Sequence, residues 1–451
     1  MSCLKGDDDN TTYYSDTAIS SFAVSNIVVE KTTKSSKGTD STYTVSQSAS
    51  SYTFYIDQDK REIYNPDSLP YGTNGTKVLV SVSTVNNGVA GLKALVGTTV
   101  TAISGTDSLD FSVPRTLVVR SSDGKYSREY TVKVNIHKQN GDDFCWTLLG
   151  TNTQMASFEA FRAFAIDDKI VAFGSDGTNT TAMQTSVSDG SSWEAVTFNF
   201  NGLLPADMYQ QIVKKGDRLY MIFNGKLLSS ADGSAWDEEG STEMKQLVAA
   251  SSDKLYAYDN SGEIQSSSDG ASWTADGIDS DVSLLPTTDI NYSCSVLRTN
   301  NDVERVVLIG NRDVSTYEAD TTAVIWNKLD DTGNYAVNLP WAYYTIDSKS
   351  KYTLPRLANI SMTTYGDYMV ALGGKGIGKC TKAAYSQIYS SIDGGLTWHD
   401  EAGIQLPDNI NKSAKSMAMV TDDKYHLWII CAGTGQVWRG RLNSMGWQLN
   451  K

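Results

Sequence analysis

Apolar and polar residues alternate along most of the chain. In YTVKVNI, Tyr130, Val132, Val134 and Ile136 share one face while Thr131, Lys133 and Asn135 share the other. A repeat of two residues marks a half-buried strand. The runs FAVSNIVVEK, TYTVSQ, SYTFYID, KVLVSVSTV, TLVVRSS and REYTVKVNIH read the same way between residues 17 and 138. Asp123-Gly124 supplies a hairpin turn between the last two. No stretch carries a sustained 3.6-residue apolar stripe, so the pattern predicts an all-β protein. Roughly seven short strands over residues 17–138 predict a β-sandwich of the immunoglobulin-like kind.

A polar break, QNGDD at residues 139–143, precedes a different pattern that runs from residue 144 to residue 451. RAFAIDDKIVAFGS, IVKKGDRLYMIFNG, VAASSDKLYAYDN, SVLRTNNDVERVVLIG, MTTYGDYMVALGG and MVTDDKYHLWIICAG are each strand, polar turn, strand. Each precedes a further hairpin. Four of those hairpins carry related text: SVSDGSSW, SSADGSAW, SSSDGASW and SSIDGGLTW.

Each residue type in that text has a mechanical role. The carboxylates of Asp189, Asp232, Asp269 and Asp393 can accept backbone N–H groups and hold the turn. Gly190, Gly233, Gly270 and Gly395 take a left-handed conformation that a Cβ would resist. Trp193, Trp236, Trp273 and Trp398 can bury a ring over the turn, ~200 Å2 or several kcal/mol each at about 25 cal/mol per Å2. Four strands per repeat of about 40 to 50 residues predict a β-propeller.

Counting degenerate copies, Tyr335 takes the aromatic place in the fourth repeat and Trp447 in the sixth. The series Trp193, Trp236, Trp273, Tyr335, Trp398, Trp447 has spacings of 43, 37, 62, 63 and 49 residues. Six blades follow, with seven as the alternative if the long spacings conceal further strands. CWTLLG, around Trp146, reads as an outer strand that could pair with the last blade and close the ring.

Charge removes one class of partner. The formal net charge is -14 and the sequence pI about 4.7, so a phosphate backbone meets a repelling surface and nucleic acid is not expected. No run of 18 apolar residues is present to span a membrane as a helix. Cys145, Cys294, Cys380 and Cys431 are too far apart for a zinc site and read as buried thiols; they allow three disulfide connectivities, among which spacing does not choose. No D-x-D-x-D-G loop, P-loop, nucleophile elbow or H-E-x-x-H helix occurs, so no metal and no cofactor are expected. GGKGIGK, Gly373 to Lys379, lies between two strands with no helix to cap an anion, and reads as a blade loop.

SSIDGGLTW resembles the Asp-box, S-x-D-x-G-x-x-W, of the sialidase-like propeller superfamily: Ser391, Asp393, Gly395 and Trp398 match it residue by residue. The copies at Asp232 and Asp269 are one residue shorter, and that at Asp189 also lacks the serine two positions earlier. The resemblance implies the fold and no activity, since Asp-boxes serve as turn clips in enzymes and receptors alike. Sialidase-type catalysis would need an arginine triad, a Tyr–Glu nucleophile and an acid. Arg162 occupies the place of the first arginine, but Ala163 and Phe164 follow where Ile or Val and Pro would stand, and Arg218, Arg298, Arg312 and Arg356 are scattered.

Met-Ser-Cys-Leu-Lys-Gly-Asp-Asp-Asp resembles the mature end of a Bacteroidetes lipoprotein, with Cys3 lipidated and Lys5 with Asp7 to Asp9 as an export signal to the outer face of the outer membrane. FSVPRTLVVRSSDGKYSREYTVKV resembles the N-terminal sandwich modules of such proteins. Together these features resemble an uncharacterised family of Bacteroidetes surface lipoproteins.

The expected organisation is a tether over 1–16, a sandwich over 17–138, a linker over 139–143 and an Asp-box propeller over 144–451. The expected function is non-catalytic binding of a glycan or a surface protein through the propeller face opposite the Asp-box turns, with the membrane reached by a lipid anchor only. A glycoside hydrolase and a structural component of a surface complex are the alternatives. Ligand contacts are expected from the insertion LPWAYYTIDSKSKYTLPRL, through Trp341, Tyr343, Tyr344, Tyr352 and Arg356, whose flat rings and fork donor suit sugar or protein. The competing reading packs Trp341 and Tyr344 onto their own blade.

Overall fold

The computed structural model describes residues 12–34, 39–331, 339–346, 350–400 and 403–447. Cys3, Lys5, Asp7 to Asp9 and Tyr335 lie outside the described residues. The chain divides into two compact units, Met1–Asp143 with Asn443–Lys451, and Phe144–Leu442.

In the first unit, a four-stranded sheet orders Asp40–Ser48, Ile19–Lys34, Val78–Thr84 and Ser108–Leu109. A six-stranded sheet orders Tyr55–Asp57, Glu62–Tyr64, Ser127–Lys133, Arg115–Arg120, Val89–Lys93 and Val100–Ala102. One apolar core, including Val24, Val80, Leu117 and Val132, lies within this unit and draws on both sheets. Tyr130 and Val132 are buried, and Val134 and Ile136 pack against the same core, as the alternation requires. The strands beyond the expected seven are two or three residues long, too short to show a period. Gly124 has φ +70° and the Asp123 carboxylate accepts the Lys125 N–H at 2.9 Å, forming the turn the dipeptide predicts.

The second unit holds six sheets among the described residues, each a meander with its first strand innermost. The inner strands are Ala160–Ile166, Val213–Lys215, Gln246–Ala250, Thr288–Leu297, Ser361–Tyr365 and Met417–Thr421, for blades 1 to 6 in turn. Phe144–Thr151 pairs antiparallel with Gln436–Leu442 and supplies the outer strand of blade 6, so the ring closes through the first strand of the unit. Apolar clusters lie between blades: Ala163, Met183 and Trp428 join blades 1 and 6, and Val307, Ile325 and Met369 join blades 4 and 5.

The Asp-boxes sit between third and fourth strands, and their geometry repeats. The Asp carboxylate accepts the N–H groups of Ser191 and Ser192, of Ser234 and Ala235, of Ala271 and Ser272, and of Thr397, at 2.8 to 3.2 Å. The indole N–H of each Trp then donates to the carbonyl of its own turn glycine, at 3.1, 3.2, 3.1 and 2.9 Å for Trp193, Trp236, Trp273 and Trp398. Ser230, Ser267 and Ser391 each accept the glycine N–H at 2.9 Å. In the copy without that serine, Gly190 donates to the Ser186 carbonyl instead. Each turn glycine also lies against the preceding blade: Gly190 meets Trp428, Gly233 Val171, Gly270 Leu227 and Gly395 Val307. The motif is therefore a joint between neighbouring blades.

Two assignments of repeat aromatics are corrected. Trp341 immediately precedes Ala342–Tyr343, the outer strand of blade 4, so it holds the position that Trp236 and Trp273 hold in their blades and that was expected of Tyr335. Trp447 groups with the first unit and stacks on His137 with ring centroids 3.4 Å apart; blade 6 needs no indole there because its outer strand arrives from Phe144. The thiol reading is corrected too. All four described cysteines are free, but only Cys380 and Cys431 are buried, while Cys294 is half-buried and Cys145 exposed on the closing strand.

Candidate functional site

The inner strands enclose a cavity of about 300 Å3 on the propeller axis. Its wall comes from blades 1, 2, 4, 5 and 6; the inner strand of blade 3 contributes no lining residue. A cross-brace explains that asymmetry. Arg162, on blade 1, donates from Nη1 to the carbonyls of Gln210 at 2.6 Å and Ile212 at 3.2 Å, and from Nη2 to the carbonyl of Ile290 on blade 4. The Tyr292 hydroxyl, also on blade 4, accepts the Lys214 N–H at 2.6 Å and donates to the Lys214 carbonyl at 3.0 Å. Blades 2 and 4 are thereby tied across the inner edge of blade 3. Burial pushes the Tyr292 phenol up to about 12 and pulls the Arg162 guanidinium below its ordinary value.

The rest of the wall is short and polar. Asp289 and Asn359, both with φ near +50° (52° and 50°), head the inner strands of blades 4 and 5. The Asp289 carboxylate accepts the Asn359 N–H at 2.7 Å and an Asn311 Nδ2–H at 2.9 Å. Burial raises its pKa, and those two donors work in the opposite direction. Asn291 Nδ2 donates to the Ile360 carbonyl at 2.6 Å, Ser361 Oγ accepts the Met419 N–H at 2.8 Å, and Thr421 Oγ1 donates to the Thr364 carbonyl at 2.6 Å. Hydroxyls and amides thus stitch the inner strands of blades 4, 5 and 6 together.

Some donors are left over. The Oγ atoms of Ser293 and Ser416 are buried in this wall without a hydrogen-bond partner among the described residues. Arg162 has five N–H donors, of which Nε–H and one Nη2–H have no acceptor among the described residues. Such groups are costly when dry and are the natural contacts of a polar ligand.

None of the five ligand-contact residues expected from the insertion lines this cavity. Trp341 is 0% exposed, packs edge-on against Tyr256 and donates its indole N–H to Asp276 at 3.2 Å. Arg356 is also 0% exposed and spends its guanidinium on the carbonyls of Tyr317, Asp320 and Arg312. Tyr343 packs on Trp326 and Tyr344 donates its N–H to Ile325. Tyr352 is 49% exposed, but its carbonyl accepts the Trp398 N–H at 3.1 Å and its ring lies 4.3 Å from that of His399, beside the Asp-box of blade 5. Trp341 and Tyr343 are therefore blade packing, and Trp341 and Arg356 have no accessible surface to offer a ligand, which corrects their expected role as ligand contacts.

The other arginines do not reach the axis either. Arg218 pairs with Asp237, Arg298 with Asp367 and Arg312 with Asp320. Among the described residues no cluster of three or more His, Cys, Asp or Glu could hold a metal ion.

Arg162 was singled out in the sequence; the small polar residues that line the cavity beside it, such as Asn291, Ser293 and Ser416, were missed because they are common. One signal was available: TDINYS and LANISM both place Asp or Asn, then Ile, then Asn or Ser, at the head of an inner strand.

The fold and its axial cavity define a six-bladed propeller accompanied by a two-sheet sandwich. Residues 140–450 match the family described as DUF6242 beta propeller domain, and residues 8–134 match the domain of unknown function (DUF6242) N-terminal domain. The chain belongs to the DUF6242 family. No curated protein matches it. Among solved structures, a Trichoderma reesei carbohydrate-active enzyme of family AA12 is 10% identical with a TM-score of 0.37, over 67% of this chain and 96% of that one. Trypanosoma rangeli sialidase in complex with 2,3-difluorosialic acid is 12% identical with a TM-score of 0.37, over 64% and 54%. A putative glycoside hydrolase from Parabacteroides distasonis is 11% identical with a TM-score of 0.29, over 65% and 88%.

Proposed function

We propose that the chain is a non-catalytic ligand-binding protein of the cell surface, whose propeller recognises a glycan or a surface protein through the face opposite the Asp-box turns. The observation that carries this reading is the pair of buried, unpartnered hydroxyls in the axial cavity, Ser293 and Ser416, beside the free donors of Arg162. Each buried group without a partner costs about 1–3 kcal/mol. A ligand hydroxyl or amide removes that cost on binding.

The carboxylates favour binding over hydrolysis. A glycosidase pair stands roughly 5 to 10 Å apart across the scissile bond. Here the lining carboxylates are Asp289, second residue of its inner strand, and Asp423, two residues beyond the end of its own. Hydrogen bonds between Asn291 and Ile360 and between Ser361 and Met419 align these strands. Asp289 then stands level with about Ser416, seven residues before Asp423 or on the order of 20 Å at ~3.3 Å per residue.

Cys3 carries the lipid in this reading, anchoring the chain at the outer face of the outer membrane, with no nucleic acid partner. Labelling with an alkyne fatty acid in the producing bacterium should mark the wild type and not Cys3→Ala; equal labelling removes the anchor.

The decisive experiment applies the full chain to a glycan array and to sialoside and aryl-glycoside substrates. Binding that is lost in Ser416→Trp and weakened in Ser293→Val, without turnover, is the expected result. Turnover abolished by Asp289→Asn would make the protein a glycoside hydrolase, and silence in both assays would leave it a structural component of a surface complex.

A further inference from the structure

The loop GGKGIGK closes no phosphate cradle, yet it is the start of an unusual segment. Gly373 to Ile388, joining the second and third strands of blade 5, contains Lys375, Lys379 and Lys382 and no aspartate or glutamate. All three lysines are exposed, as are Lys412 and Lys415 on the approach to the inner strand of blade 6. In a chain of formal charge -14, five lysines on one face are a local reversal of sign. Lys415 pairs with Glu159. The other four make no ion pair among the described residues; the acids beside them are Glu318, whose carbonyl accepts the Lys379 N–H at 3.1 Å, Asp408, four residues before Lys412, and Asp289, whose carboxylate is taken by the Asn359 N–H.

Backbone bonds set these lysines around one place. The Gly376 N–H donates to the Lys382 carbonyl at 2.9 Å, and the Ala358 N–H to the Lys375 carbonyl at 3.0 Å. The Lys415 carbonyl accepts both the Tyr385 hydroxyl at 3.0 Å and Asn359 Nδ2 at 3.2 Å. Asn359 lines the axial cavity. Lys375 and Lys415 are therefore bonded next to the cavity mouth at the end where inner strands begin, the face away from the Asp-boxes, with Lys379 and Lys382 further along the same loop and Lys412 three residues before Lys415. Tyr385 is buried beneath the loop, so the frame is fixed before any ligand arrives and little ordering cost falls on binding.

We propose that this lysine rim makes the ligand an acidic glycan, a polymer bearing carboxylate or sulfate groups. The inference rests on the glycan reading above and deepens it. Charge selects the polymer: a nucleic acid carries phosphates so densely that the strongly acidic remainder of the protein repels it, whereas an acidic glycan spaces its charges sugar by sugar and can engage the rim alone.

The test uses the full chain and biolayer interferometry against polygalacturonate, chondroitin sulfate, neutral dextran and duplex DNA, at 50 and 300 mM NaCl. At least one acidic glycan should bind at low salt, and its affinity should fall on the order of tenfold or more at high salt, the signature of counterion release. The variant Lys375→Glu/Lys379→Glu/Lys382→Glu should lose at least about tenfold in affinity with an unchanged circular dichroism spectrum. The same reversal at Lys60, Lys125 and Lys133 should leave binding unchanged. The proposal is overturned if neither acidic glycan binds at 50 mM, if the triple variant binds as well as the wild type, or if duplex DNA binds equally. Neutral array binding that survives the triple variant but is lost in Ser416→Trp would discard the acidic ligand and leave the glycan reading standing.

Discussion

Blade 4 lacks a recognisable Asp-box, and the seam between blades 3 and 4 holds a buried ion pair instead. Lys328 Nζ lies 2.7 Å from Asp276 Oδ1, both side chains are 1% exposed, and Asp276 Oδ2 accepts the Trp341 indole N–H. In the box blades the indole bonds its own turn; here it bonds an acid at the end of the preceding blade. Burial decides what that is worth. The exposed pair Lys226–Glu238 is as short, at 2.6 Å, yet its contribution should be about 0–1 kcal/mol. Removing one member of the buried pair should cost about 3–5 kcal/mol, because the remaining charge stays desolvated. Replacing both with apolar residues of similar volume should recover most of that loss, leaving about 1–3 kcal/mol for the Trp341 indole N–H that no longer has an acceptor. The cycle is therefore Asp276→Leu, Lys328→Met and the double variant, each unfolded in guanidinium chloride and followed by tryptophan fluorescence. Nine of the ten tryptophans belong to the second unit, only Trp447 to the first, so the signal reports the propeller. Single variants costing under about 1 kcal/mol, or a double variant whose loss is the sum of the singles, would refute the argument that the pair is a desolvated unit.

Other tests follow from the same geometry. Gly395→Ala should cost about 2–4 kcal/mol, since Gly395 has φ +89° and a Cβ there would stand 3.2 Å from Val307, adding overpacking to backbone strain; Gly216→Ala, with φ +56° and open space around it, should cost only about 1 kcal/mol in the same guanidinium assay. Asp189 and Asp269 are held near pKa 2 by donors of their own turns, and in Asp232 and Asp422 burial pulls upward but is outweighed by similar donors, again to about 2. These depressed values mean stability that is complete above the unfolded value near 3.8 and is lost as pH falls toward 2; denaturant unfolding at pH 5, 3.5 and 2.5 should show that decline, flattened in Asp422→Asn. Ser293→Ala should stabilise the unliganded protein by on the order of 1 kcal/mol, because it removes a buried hydroxyl that has no partner. A thiol-reactive dye should label Cys145 in the native protein but reach Cys380 and Cys431 only after unfolding, the Cys431 thiol being pushed up to about 12 by burial.

The ring was legible because its joints are written as short local motifs. Asp232, Gly233 and Trp236 fall within five residues, and the Asp232 carboxylate and the Trp236 indole both bond backbone groups of that same turn, so spacing alone carries the geometry. Where the joint is made over distance, spacing fails. Trp341 finds its partner at Asp276, 65 residues back, and nothing near Trp341 resembles a box; the aromatic role was therefore assigned to Tyr335. Trp447 failed for a related reason: the outer strand of blade 6 comes from the other end of the unit, at Phe144, so the repeat phase breaks there.

The site was less legible than the fold for a physical reason. An aromatic-rich insertion looks like a binding surface because Trp, Tyr and Arg serve that purpose on exposed faces. The same residues are also the largest fillers of an irregular connection, and burial decides between the two uses. Trp341 is spent on the seam with blade 3, through Asp276, and Arg356 on the carbonyls of Arg312 and Tyr317 in blade 4. The axis, by contrast, is lined between larger side chains such as Arg162 and Tyr292 by Ser293, Asn291 and Ser416, which no composition or motif distinguishes from turn residues. What identifies them is an imbalance: serine hydroxyls in the wall lack acceptors although their neighbours Ser361 and Thr421 are fully engaged in joining blades. A wall built only to close the ring would have used alanine there, as Ala163 and Ala418 do between blades 1 and 6. On the ligand-binding reading proposed above, the polarity left over on the axis is what a bound ligand would satisfy.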